Sequence, residues 1–104
     1  MPTEKIPFAQ RTLTLLNDGK EEELLISLYQ PEPDPLPGGD WQCMVEIGAN
    51  DELVFGVDSF QALLMGVQYI SMELEKMKKS GCKLKWLGMD NLGFEPLLGL
   101  NPKY

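Results

Sequence analysis

The chain contains no histidine, so the commonest general base and metal ligand near neutral pH is missing. Without an imidazole to activate them, Cys43 and Cys82 are not expected to act as hydrolytic nucleophiles. Two cysteines are too few for a disulfide framework, and a chain of this length builds a core without one, so both are expected as reduced thiols. No run of eighteen apolar residues occurs, and the opening Met-Pro-Thr-Glu-Lys-Ile-Pro lacks the basic and apolar regions of a secretory leader. No membrane-spanning segment is therefore expected, and the cytoplasm is the expected location. A phosphate-cradling glycine loop and a metal-ligand cluster are also missing, so no catalytic residue, cofactor site or metal site is assigned.

Bases are scarce where acids are dense. Between Asp18 and Asp58 eleven acids face Lys20 alone, whereas Lys76, Lys78, Lys79, Lys83 and Lys85 fall within ten residues without an intervening acid. With a net charge of −7, the field of the whole chain opposes nucleic acid, whose binding depends on phosphate neutralisation. The lysine cluster has a simpler explanation at the negative end of a helix dipole.

What is present is a single domain, 1–104, with 43% hydrophobic residues, able to remove roughly 65% of its unfolded surface from water. Phe8 to Leu16 and Glu23 to Tyr29 alternate as strands around Asn17-Asp18-Gly19-Lys20, whose residues tolerate the positive φ of a tight hairpin. Pro31, Pro33, Pro35 and Pro37, followed by Gly38-Gly39, predict an exposed loop that neither a ladder nor a helix crosses. Trp41 to Ile47 places Trp41, Cys43, Val45 and Ile47 on one face, the cleanest period-two signal in the chain, and Leu53 to Val57 predicts a fourth strand.

A helix is predicted over about 58–80. Asp58 is a good N-cap, and Gln61 is placed to return a bond to the cap's own amide. Phe60, Leu63, Leu64, Val67, Ile70, Leu74 and Met77 recur at helical spacing and predict the buried stripe, with Ala62, Met65, Gly66 and Tyr69 widening one flank. Gly81 supplies the left-handed cap. Cys82 to Leu87 predicts a short fifth strand, and a coil anchored by Phe94 ends the chain. Strands joined by hairpin-length connections and one long helix predict an α+β fold: an antiparallel four- to five-stranded meander with that helix on one face.

The run Phe55-Gly56-Val57-Asp58-Ser59-Phe60-Gln61-Ala62-Leu63, with the later Trp86-Leu87-Gly88 and Gly93-Phe94, resembles a family of small uncharacterised bacterial proteins. There a G-x-D-x-x-Q-A-L pattern opens the helix and W-L-G with a later G-F closes the domain. The resemblance spans roughly residues 41 to 96. It implies this same fold and no catalytic residue, and some families of this kind look like immunity or accessory proteins of toxin systems.

Function is expected in binding. The leading expectation is a non-catalytic acidic protein, in concrete form an immunity-type inhibitor, that docks a basic protein partner. Glu32, Asp34, Asp40, Asp51 and Glu52 are the candidate partner-binding residues. Prolines hold the loop bearing Glu32, Asp34 and Asp40 extended, so it can be read at small ordering cost. The alternative is a homo-oligomeric or small-ligand-binding domain, pairing as a homodimer through a strand edge or through the helix flank at Met65, Tyr69 and Met72.

Overall fold

The alternation read in the sequence folds into one antiparallel sheet, seen in a computed structural model that describes residues 6–35 and 40–94. Strand β1 (Pro7–Asn17) turns into β2 (Lys20–Tyr29) at Asp18 and Gly19, with φ of 51° and 78°, the paired positive values of a two-residue hairpin turn. Strand β4 (Trp41–Ile47) pairs with the end of β2, and a second tight turn opening at Gly48 leads to β5 (Asn50–Gly56). Helix α1 (Ser59–Lys79) then carries the chain to β6 (Lys83–Lys85), which pairs antiparallel with Thr14–Leu16 of β1. Across the sheet the lanes run β5, β4, β2, β1, β6, so α1 links the two edges.

Two expectations on the strands need correction. The proline segment does join the sheet: β3 (Glu32–Pro33) pairs with Gln42 and Trp41 in the lane that β2 leaves. A proline is tolerated there because it lies on an outer, two-residue stretch with no central ladder to interrupt. The fourth strand begins at Asn50, ahead of the predicted Leu53, because the turn at Gly48 and Ala49 lets pairing start at Ile47 and Asn50. The predictions for 36–39, for the first five residues and for the coil beyond Phe94 lie outside the described residues.

The helix ends are written locally. The Asp58 carboxylate accepts from the Gln61 amide at 2.7 Å, and Gln61 Oε1 accepts at 2.7 Å from the amide of Val57, one residue before the amide expected. At the other end Gly81 has φ 104°, its amide bonds Lys78 O, and the Cys82 amide bonds Met77 O, the paired reversal of a Schellman cap.

The buried stripe of α1 is rotated from the predicted one. Ala62, Gly66, Ile70 and Leu74 are buried, while Phe60 is 70% exposed, Leu64 52% and Val67 37%. The cause is distance: a Cβ on Gly66 would stand 2.8 Å from Leu28 Cδ1 and 3.2 Å from Cys43 Sγ, and one on Gly56 2.3 Å from the Ala62 backbone nitrogen. Small residues let the helix axis drop onto β4 and β5, and the larger apolar side chains are turned to its flank. The core therefore runs from Leu13, Leu24, Ile26 and Leu28 through Cys43, Val45 and Ile47 to this narrow face.

Candidate docking surfaces

The five candidate residues divide into two groups. Glu32, Asp34 and Asp40 meet at the Trp41 end of β4, where β3 pairs alongside and the Asp34 amide donates to the Asp40 carbonyl at 2.8 Å. Asp51 and Glu52 lie toward the other end, opposite Glu46 and Val45. Five residues of strand separate Trp41 from Glu46, about 17 Å, so the two groups do not form one site. Residues directly opposite in neighbouring strands share a face. Glu32, Gln42 and Phe55 thus form one row on the open face, away from α1.

At the Trp41 end the acids have apolar company. Gly56 pairs with Trp41, and the chain leaving it presents Val57 (74% exposed), the Asp58 cap and Phe60. The described residues of β3, the start of β4, the end of β5 and the first turn of α1 include no lysine or arginine. The opposite end differs. There Glu23 and Lys85 both pair with Thr14, and Glu21 and Lys83 both pair with Leu16, so acids and bases of the open face alternate across β1. On the open face the acids of β2 thus meet the lysines of β6 across β1.

Glu46, the one carboxylate in an apolar strand, accepts from the Tyr29 hydroxyl. That bond, with burial and the neighbouring charges of Glu46 and Asp51, holds the Tyr29 pKa above its ordinary value. Burial alone pushes the Cys43 thiol up, and its Sγ donates to Tyr29 O at 3.3 Å, so it sits protonated in the core. Both cysteines are free, as expected. Among the described residues no group of three or more Cys, Asp or Glu side chains could hold a metal ion, and no helix is long and apolar enough to cross a membrane.

Two of the hollows on the surface border the sheet. A cleft of about 480 Å³ between the end of α1 and β6 is lined by Lys78, Cys82, Lys83, Leu84, Lys85 and Asp90. Two of its amines are engaged, Lys78 with Glu75 at 3.4 Å and Lys85 with Asp90 at 3.2 Å, which lowers its appeal to an anion. A smaller apolar hollow of about 170 Å³ runs between β1, β2 and α1, lined by Ala9, Ile26, Leu28, Val67 and Ile70 and ended by Phe94.

Arg11, the single arginine, was given no role in the sequence. Its guanidinium lies 3.9 Å from the Trp86 ring centroid and 4.7 Å from that of Phe94, and Nη1 donates to Leu92 O at 2.9 Å. It clamps residues 86–94 onto β1 by cation–π stacking and a charge-assisted bond. Gly93, at φ 78°, is required there: a Cβ would meet Arg11 Nη1 and Trp86 at 2.7 Å. The available signal was a lone arginine in a strand and two aromatics near the chain's end.

A family described as a domain of unknown function, DUF6968, matches residues 9–96, which takes in most of β1 and all of β2 as well as the motifs around the helix. No curated protein and no solved structure matches the chain.

Proposed function

The chain belongs to the DUF6968 family, and we propose that it is a non-catalytic binding domain that docks a basic protein partner through the Trp41 end of its sheet. The observation that carries this reading is the company of Glu32, Asp34, Asp40 and Asp58 with the exposed Val57 and Phe60. Clustered acids steer a basic partner and reject acidic ones, while exposed apolar side chains supply the area that holds it once docked. Asp51 and Glu52 are left outside that surface. An immunity-type inhibitor of a basic toxin, acting in the bacterial cytoplasm, is its concrete form.

The test compares two charge-matched variants. A cationic amphipathic peptide of leucine and lysine serves as probe at low ionic strength, its affinity read by fluorescence anisotropy. Glu32→Gln/Asp34→Asn/Asp40→Asn is expected to weaken binding about tenfold, while Glu21→Gln/Glu22→Gln/Glu23→Gln, with the same change in net charge, weakens it by less than about threefold. Equal losses in both variants would mean that only total charge matters, and the localised surface would have to be abandoned.

A further inference from the structure

Strand β5 is hydrogen-bonded to β4 on one side, and among the described residues no strand lies on its other side. Its register with β4 is unbroken over seven pairs, and it carries neither proline nor lysine, two of the devices that keep a strand edge from pairing. With Ile47 and Asn50 closing a two-residue turn, strand alternation directs the backbone groups of Asp51, Leu53 and Phe55 away from β4. Apolar side chains stand on both sides of this edge. On the open face Leu53 and Phe55 are 43% and 49% exposed. On the covered face Val67 and Ile70 line the hollow toward β1 and β2, which turns the opposite flank of α1, at Met65, Tyr69 and Met72, toward β5.

We propose that two copies of the chain pair antiparallel through β5, about a two-fold axis at Leu53, joining their sheets into one and bringing the Met65–Tyr69–Met72 flanks of the two helices toward each other. The charge pattern selects this occupant. In the register centred on Leu53 all seven residues overlap, Asp51 of each copy meets Phe55 of the other, and Glu52 meets Val54, so no carboxylate faces a carboxylate. A register centred on Asp51 or Glu52 would place like charges directly opposite. The surface is self-complementary, as a two-fold interface requires. A strip about 23 Å long and as deep as the 23 Å shortest extent of the molecule covers on the order of 500 Å² per copy. The total of about 1,000 Å² stands at the lower bound of specific interfaces and implies a concentration-dependent dimer.

Salt gives the dimer a signature of its own. Each copy carries −7, so screening favours self-association, whereas it weakens the docking of a basic partner at the Trp41 end. Sedimentation equilibrium of the full chain between about 5 and 500 µM is expected to show mass rising toward two copies, more steeply in high salt. Leu53→Lys is expected to hold the protein monomeric across that range. Leu25→Lys, at an equally exposed open-face position in β2, is expected to leave association unchanged. Mixing Leu53→Lys with Leu53→Glu should restore a two-copy species, which a merely misfolded variant could not do. A wild type that stays monomeric throughout, or a dimer that Leu53→Lys leaves intact, would overturn the proposal.

Discussion

Where α1 covers the sheet, Leu24, Ile26, Leu28, Cys43, Val45 and Ile47 are buried; on the opposite face the same two strands present Leu25, Ser27, Tyr29, Met44 and Glu46, of which only Ser27 is buried. The covered face is held by contact at short range, with Gly66 and Gly56 setting how near the helix comes. The open face is held by side-chain hydrogen bonds across strands, Gln10 to Ser27 at 3.0 Å and Tyr29 to Glu46. One face should therefore respond to volume and the other to protonation. The only described helix is used on the covered side and leaves the opposite face of the sheet uncovered by any described helix.

The hardest blow to the covered face is Gly56→Val. The added carbons collide with backbone atoms of Gln61 and Ala62, which cannot swing aside as a side chain does, and unfolding in urea is expected to show a loss of about 3 kcal/mol or more. A smaller contrast comes from matched leucines. Leu74→Ala empties a site 2% exposed and should cost about 2 to 3 kcal/mol. Leu25→Ala on the open face should cost less than about 1 kcal/mol by the same measurement, and equal losses would erase the distinction between the faces.

The smallest effect concerns the open face alone. Tyr29 titrates higher folded than unfolded, so its contribution to stability is complete below the unfolded value near 10 and is lost as pH rises through the raised native value. Relative to Tyr29→Phe, the wild type should lose stability as pH rises above about 10, read as a shift in urea midpoint. Tyr69 shifts in the same direction and remains in both proteins, so the difference isolates Tyr29.

Much of the fold was legible because its signals are local. The bounds of β4, the Asp18-Gly19 turn, the Asp58 cap and the Gly81 reversal each follow from a few neighbouring residues. The orientation of α1 was not legible from its apolar spacing. Phe60, Leu64 and Val67 carry more hydrophobic weight than Ala62 and Gly66, yet closeness of approach decides which side faces the sheet, and small residues permit it. The candidate acids were legible as residues but not as a site, since their separation is set by which end of β4 each pairs with.

Chain order and residue chemistry by themselves determined the order of the longer strands and the helix, the turns and caps, and the density of acid before Asp58, because each depends on dihedral preference or composition within a few residues. Tertiary pairing alone decided that β6 returns to β1, that its lysines meet the glutamates of β2 across that strand while Glu32, Asp34 and Asp40 gather at the Trp41 end, and that no described strand lies beyond β5. Those outcomes rest on contacts between residues far apart in the chain, whose free energy exists only once the sheet has assembled.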